Sequence, residues 1–107
     1  MNDELEELFM HEVAVQTWAG TGAYGDVYED RTPPLPCYLD ETRKLVRDEH
    51  GTETVSEATV FVSLQDGEAF TPGSLVHLND RDAYVISRAR RDGEPLGLPS
   101  HTEVTLT

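Results

Sequence analysis

The run that comes nearest to a known chemical motif is the glycine-rich stretch at residues 20–27. It reads GTGAYGDV and matches the GxGxxG pattern with which dinucleotide-binding folds and protein kinases hold phosphate groups. The residues that follow, YEDRTPP, cannot begin a helix whose N-terminus would hold a pyrophosphate. No kinase lysine motif, catalytic loop or magnesium-binding motif comes later in the chain. We therefore expect residues 19–36 to form a surface loop that binds no nucleotide.

The other residue types that could carry chemistry do not form a recognisable constellation. The histidines lack the spacing of metal ligands and lie at positions His11, His50, His77 and His101. Cys37 is the single cysteine, which excludes an intramolecular disulfide and a thiolate zinc cluster, so we interpret it as a small strand residue. The sequence has no GxSxG elbow and no local Cys–His signature. We predict no catalytic residue, no metal site and no cofactor, and an enzyme is the function class that the sequence favours least.

The composition is strongly acidic. With 21 Asp and Glu against 8 Lys and Arg, the 107 residues carry a formal net charge of -13. This charge repels phosphates and argues against a protein that clamps DNA or RNA through counterion release. The length allows one domain, and 37% hydrophobic residues is low for a chain that folds alone, so we expect neighbouring subunits to share stability. No apolar run reaches the roughly 20 residues of a membrane span and no signal-peptide pattern is present, so we expect a soluble protein made inside a cell.

A short helix is predicted at the start of the chain, over residues 1–10. Asn2 or Asp3 can cap it, and acidic residues fill its first turn. Its apolar side is formed by Leu5, Leu8 and Phe9. Two turns of helix are marginal in isolation, so we expect these three side chains to dock on the domain or on a neighbouring subunit.

Residues 11–107 have the alternation and the turn signals of a single all-β domain. Strands are predicted at residues 11–18, at residues 75–78 and 83–90 as a hairpin, and at residues 101–107. We predict a small antiparallel β-barrel of about six strands. Its core is predicted to contain Val13, Val15, Val60, Val62, Val76, Leu78, Val85, Val104 and Leu106.

A long β-hairpin is predicted over residues 38–64, around which the other elements are arranged. The second half of its return arm alternates as a half-buried strand does, through Ala58, Val60 and Val62. Toward the turn the alternation gives way to Thr, Glu, Asp and Arg, so those rungs have too little apolar surface to pack on a core. We expect the tip to project from the domain, and it consists of Arg47, Asp48, Glu49, His50, Gly51, Thr52 and Glu53.

Contacts with other subunits or partners are predicted for large aromatic and basic side chains. Trp18 combines a large ring with one polar nitrogen, which is useful at an edge or interface. Arg88, Arg90 and Arg91 form the one basic patch of the sequence. Because the chain is so acidic, we expect this patch to bind an acidic neighbouring protein and not DNA. The predicted contact residues are Trp18, Tyr24, Arg43, Lys44, Arg88, Arg90 and Arg91.

Several of these runs together resemble the head-to-tail stopper proteins of tailed bacteriophages, also called head-closure or head-completion proteins. The likeness covers roughly residues 11–107 and includes no catalytic signature. It is carried by PCYLDETRKLVRD at residues 36–48, Gly51, VSEATV at residues 55–60, PGS at residues 72–74 and VISRARRDG at residues 85–93.

The resemblance implies a non-enzymatic structural protein of the virion neck, made in the bacterial cytoplasm and using no cofactor. It implies a small β-barrel that assembles as a homo-oligomeric ring of about six copies. Portal and adaptor proteins would lie above the ring and tail proteins below it, and no membrane is involved. An extended hairpin would point into the channel and hold the packaged double-stranded DNA. The acidic composition suits this role, since a negative channel wall does not bind the DNA backbone as the genome leaves.

Two other function classes stay open. Small acidic β-domains in rings could equally serve as an adaptor, a tail terminator or a minor tail component, and counting the subunits of the assembled ring would discriminate among these. A charge of -13 could also imitate a phosphate backbone in a DNA-mimic or inhibitor module. That alternative needs carboxylates clustered on one face and a stable monomer.

Overall fold

The computed structural model describes residues 10–91 and 100–107. These residues form ten β-strands and one short 3₁₀ turn at Asp66–Ala69. The strands are β1 His11–Gln16, β2 Trp18–Gly22, β3 Gly25–Tyr28, β4 Leu35–Asp40, β5 Lys44–Arg47, β6 Glu53–Ser56, β7 Ala58–Val62, β8 Leu75–His77, β9 Asp82–Arg91 and β10 His101–Leu106. The helix predicted at the N-terminus, with Leu5, Leu8 and Phe9 as its docking side chains, lies outside the described residues apart from Met10.

Six of the strands form a closed antiparallel barrel in the order β1-β4-β7-β10-β9-β8. The barrel closes where β8 pairs with β1, for example through Val15 opposite Val76. The predicted antiparallel barrel of six strands is confirmed, and so is the hairpin of β8 and β9, in which Leu75 lies opposite Tyr84. Closure removes the free edges from these six strands, because each has a partner on both sides.

The core lies inside the barrel and follows from the alternation of the strands. All nine predicted core residues are buried, from the fully enclosed Val60 and Val62 to Leu78 at 8% exposure. Sequence periodicity did not identify Phe70, which follows the 3₁₀ turn and is among the largest fully buried side chains. At Gly67, within that turn, an added Cβ atom would overlap the side chain of Thr102. The 3₁₀ turn is therefore packed tightly against β10.

The expectation of a surface loop over residues 19–36 is wrong for most of that segment. Strands β2 and β3 form a two-stranded antiparallel ribbon, with Gly22 opposite Gly25 at its tip. Gly20 and Gly25 have φ values of 113° and 110°, which other residues rarely adopt, so the glycines permit a tight ribbon where the sequence indicated a loop. The barrel strand β4 then begins at Leu35.

The single hairpin predicted over residues 38–64 is not shown as one continuous ladder. Asp40 lies opposite Thr59 in the barrel, whereas Lys44 lies opposite Ser56 in a separate ribbon of β5 and β6. Between these two pairs the outgoing arm has three residues, 41–43, and the returning arm two, 57–58. One extra residue shifts the register as a β-bulge does, which bends the strands and separates the ribbon from the barrel ladder.

Candidate functional site

The β5–β6 ribbon ends in a turn that is held by its own hydrogen bonds. Asp48 Oδ1 accepts bonds from the backbone N–H groups of His50 and Thr52, each over 2.9 Å. The Gly51 N–H donates to the Asp48 carbonyl over 3.0 Å, and Gly51 has the positive φ of 79° that completes a three-residue hairpin turn. Arg47 Nη1 donates to the Gly51 carbonyl over 2.8 Å. The tip is thus a defined turn, although most of its side chains are exposed.

One face of this ribbon alternates charged and apolar rungs. Two cross-strand ion pairs, Arg43 with Glu57 at 3.3 Å and Arg47 with Glu53 at 3.6 Å, flank the exposed apolar pair of Leu45 and Val55. Exposed pairs of this kind contribute only about 0.2–1 kcal/mol each, because water and salt screen them. The ribbon therefore depends on several weak contacts instead of a buried core.

The base of the ribbon is connected to the barrel through Glu103 on β10. Lys44 Nζ lies 3.4 Å from Glu103 Oε1, and Arg91 Nε lies 3.5 Å from Glu103 Oε2. At the bulge, Ser56 is fully buried, and its hydroxyl lies 2.9 Å from the carbonyls of both Ala58 and Leu106. These contacts fix where the ribbon leaves the barrel.

The arginines predicted as a partner-binding cluster are not gathered on one surface. Arg88 Nη1 donates to the carbonyl oxygens of Gly67 and Glu68, each over 2.9 Å, and so caps the 3₁₀ turn of its own chain. Strand alternation directs Arg91 to the face opposite Arg88 and Arg90, and Arg91 pairs with Glu103. Arg90 remains an exposed side chain of β9.

The β2–β3 ribbon is anchored to the barrel at its base. The Glu29 N–H donates to the Thr17 carbonyl over 2.8 Å, and the Thr32 N–H donates to the Val15 carbonyl over 3.0 Å. The Trp18 N–H donates to Ser74 Oγ over 3.0 Å. At the far end Tyr24 is fully exposed. The ribbon is fixed to the barrel at its base and presents an aromatic ring at its tip.

One face of this ribbon carries Trp18, Asp26 and Tyr28. Together with Tyr84 of β9, which interacts electrostatically with Tyr28, we call these residues the aromatic–acidic face. Asp26 Oδ1 accepts hydrogen bonds from Trp18 Nε1 and from Thr21 Oγ1, both over 3.3 Å. Tyr28 lies opposite Trp18 in the ladder and two residues after Asp26, so it projects from the same side. Desolvation raises the pKa of Tyr28, with smaller contributions from the Asp26 carboxylate and from Tyr84. Both Trp18, at 41% exposure, and Tyr84, at 48%, remain open to solvent.

A histidine that the sequence did not distinguish connects three parts of the fold. His77 Nδ1 lies 2.9 Å from Asp82 Oδ1, and His77 Nε2 lies 2.8 Å from Gln16 Oε1. Gln16 Nε2 in turn donates to the Glu29 carbonyl over 3.3 Å, which orients the amide. Both ring nitrogens thus lie within hydrogen-bonding distance of side chains on other strands. The network links β1, β8 and β9 to the base of the β2–β3 ribbon.

Four rings form a chain of contacts over four neighbouring strands of the barrel. His11 lies 5.6 Å from Tyr38, Tyr38 lies 6.1 Å from Phe61, and Phe61 lies 5.7 Å from His101, measured between ring centroids. The Leu39 N–H donates to His11 Nδ1 over 3.1 Å, so this ring accepts at Nδ1. The rings are only partly exposed and contact one another, which is typical of a packed outer surface.

No nucleophile or metal centre emerges from the residues at 10–91 and 100–107. Among these residues, no three or more His, Cys, Asp and Glu side chains are arranged to hold a metal ion. Cys37 is fully enclosed, and its burial raises the pKa of the thiol to about 12, so it is the unreactive neutral thiol at physiological pH. Nor does any helix in the described ranges have the length and apolar character needed to cross a membrane.

No protein-family model matches the chain, and no curated protein matches it either. Function must therefore be argued from the geometry of the two ribbons and the barrel that supports them.

Proposed function

We propose that this chain is a structural protein of a phage neck, a stopper that forms a ring beneath the portal and adaptor, closes the DNA channel and receives the tail. The observation that carries the proposal is the β5–β6 ribbon, which leaves the barrel at a bulge and ends in a hydrogen-bonded polar turn. The ribbon has a fixed tip and no core of its own, so it contributes little to the stability of an isolated barrel. This is typical of an element that contacts a molecule outside its own domain.

The charges of the β5–β6 ribbon support its role as a gate that retains DNA without binding the DNA backbone. Its ion pairs are exposed and exchangeable, so neighbouring copies in a ring can trade partners among Arg43, Arg47, Glu53 and Glu57. With a net charge of -13, the chain does not attract the DNA backbone. Obstruction would therefore be steric, and many weak contacts repeated around a ring would let the gate open when DNA leaves.

In this proposal the tip and the base of the ribbon have different roles. The tip residues from Arg47 to Glu53 would occupy the channel, and Arg43 and Lys44 at the base would contact the next copy or the ring above. Lys44 already reaches Glu103 of its own barrel, so movement of the ribbon would be transmitted to β10. The virion neck would be the location of the assembled protein.

A phage that encodes the chain provides the test. Removing the gene should give DNA-filled heads that lose their genome and do not join tails, while separately assembled tails remain normal. Restoring the wild-type gene should restore infectious particles, and the protein should be detected at the head–tail junction by immunolabelling. Infectious particles of normal composition in the absence of the gene would refute the proposal.

A further inference from the structure

We infer that the aromatic–acidic face binds an arginine side chain carried by a basic segment of a partner protein. Trp18 and Thr21 hold one oxygen of Asp26 in place, and Asp26 Oδ2 makes no hydrogen bond to any residue that the structure describes. A guanidinium group is planar, so it can donate to a carboxylate while it stacks on an aromatic ring. Trp is the ring that attracts cations most strongly, and Tyr28 and Tyr84 add two more.

Other ligand classes fit this face less well. A phosphate or a nucleic acid would be repelled by Asp26 and by the net charge of -13. A purely apolar segment would cover the Asp26 carboxylate without offering it a hydrogen-bond donor, which is unfavourable. A lysine ammonium group would satisfy the charge but lacks the planar fork, so we expect it to bind more weakly than arginine.

The charges beside the face indicate that the partner is basic. Asp26, Glu29 and Asp30 occupy three of five consecutive positions, and none forms an ion pair with any residue in the described ranges. Unpaired carboxylates in the segment that carries the face, followed by the single exposed cation Arg31, accelerate encounter with a cationic partner and select against an anionic one.

A different protein is a better donor than a second copy of this chain. A second copy carries the same net charge of -13 and is repelled from this face, although its exposed Arg31 and Arg90 form no ion pair with any described residue. Arg88 is bonded to backbone carbonyls of its own 3₁₀ turn. This inference does not depend on the neck role, although in a neck the partner would be the protein of an adjoining ring.

Intrinsic fluorescence can test directly whether the aromatic–acidic face binds arginine, because Trp18 is the single tryptophan of the chain. The purified full chain is titrated with a hexapeptide of alternating Gly and Arg, with its Gly–Lys counterpart, and with a peptide carrying uncharged citrulline. We expect the arginine peptide to give a saturable change in Trp18 emission. The lysine peptide should bind several-fold more weakly, and the citrulline peptide should give no response.

Charge-matched variants separate the site from general attraction to an acidic protein. Asp26→Asn should lower the affinity for the arginine peptide about tenfold, because a charge-assisted hydrogen bond to Oδ2 is replaced by a neutral one. Glu49→Gln removes the same charge from the tip of the β5–β6 ribbon and should leave the affinity unchanged. Tyr84→Ala should weaken binding several-fold without changing the melting temperature.

Three results would overturn the inference. One is equal affinity in the wild type and Asp26→Asn, and another is an equal response to the lysine and arginine peptides. The third is self-association that changes Trp18 emission with protein concentration and is abolished by Asp26→Asn, which would assign the face to a second copy. None of these results bears on the phage test of the neck role, so the two proposals fail separately.

Discussion

The barrel and the β5–β6 ribbon are both antiparallel β-structure, yet they are stabilised by different forces. In β7 every residue except Phe61 is buried, whereas in β6 only Ser56 is. The barrel is held by apolar area removed from water, and the ribbon by hydrogen bonds and ion pairs in solvent. One chain thus combines a barrel stabilised by a buried core with an exposed ribbon whose sequence is not constrained by core packing. Four changes test this contrast, from the barrel outward.

The largest loss is expected from Phe70→Ala. Phe70 is fully enclosed in the barrel, so truncation should remove its burial, leave a cavity and lower the free energy of unfolding by about 3–5 kcal/mol. Val62→Ala should cost less, about 1–4 kcal/mol, because fewer atoms are removed. Chemical denaturation measures both losses, with the exposed Tyr24→Ala as control. A Phe70→Ala loss no larger than that of the control would mean that the core is misplaced.

The next effect concerns the enclosed thiol of Cys37. The folded state holds its proton more tightly than the unfolded chain does, because burial raises the pKa from 9.0 to about 12. The stability from this residue is therefore intact below pH 9 and is lost as the pH rises toward 12, by up to about 1.4 kcal/mol per pH unit.

Cys37→Ala provides the control for the thiol, because it cannot titrate. The difference in unfolding free energy between wild type and variant should change between pH 9 and pH 11 and stay constant between pH 6 and pH 8. At neutral pH a thiol reagent should modify the wild type only after unfolding. Rapid modification of the native protein would show that Cys37 is accessible.

A smaller effect is expected at the boundary between barrel and ribbon. Ser56→Ala removes the hydroxyl that hydrogen-bonds to the Ala58 and Leu106 carbonyls at the bulge. This should lower the free energy of unfolding by about 1 kcal/mol. Thr52→Ala, at the exposed tip, is the control and should leave stability unchanged. Hydrogen exchange should then show faster opening in β5 and β6 than in β7. Uniform acceleration across the barrel would show that ribbon and barrel unfold as one unit.

The smallest effect on stability, and the largest expected on function, comes from removing the tip. Asp48 and Thr52 close the native turn, and the pair of Val46 and Thr54 lies two residues closer to the barrel. This pair can therefore close a two-residue turn in the same register. Replacing residues 47–53 with Asn-Gly should leave a folded domain of nearly wild-type stability. Glu49→Ala and His50→Ala should likewise cost almost nothing.

Particles assembled with the shortened ribbon distinguish its two possible roles. If the ribbon is the gate, heads carrying the variant should still receive the ring but lose DNA before tails attach. Normal genome retention in such tailless heads would exclude this ribbon as the plug, and the β2–β3 ribbon would become the next candidate. A variant that fails to fold would instead contradict the contrast between the two regions.

The outline of the fold could be predicted because a half-buried β-strand shows apolar and polar residues alternating with a period of two in the local sequence. The core positions from Val13 to Leu106 followed from that alternation, and so did the β8–β9 hairpin. The candidate surfaces were predicted only in part. The sequence predicts Trp18 and Tyr24 as contact residues, and both are exposed. It does not single out Asp26, Tyr28 and Tyr84, because these residues meet only when β2, β3 and β9 are placed together.

Features that depend on distant residues were decided by tertiary structure alone. The glycine-rich segment could equally have been a loop, and it is a ribbon because its base bonds to Thr17 and Val15 of the barrel. The sequence predicts a partner contact for Arg88 from its charge alone. It does not indicate that the carbonyls of Gly67 and Glu68, some twenty positions earlier, lie within reach of this side chain. The shift of register at residues 41–43 likewise occurs where Ser56 contacts the carbonyl of the distant Leu106. Alternation records which way a side chain faces, but only the closed barrel determines which distant backbone group lies opposite it.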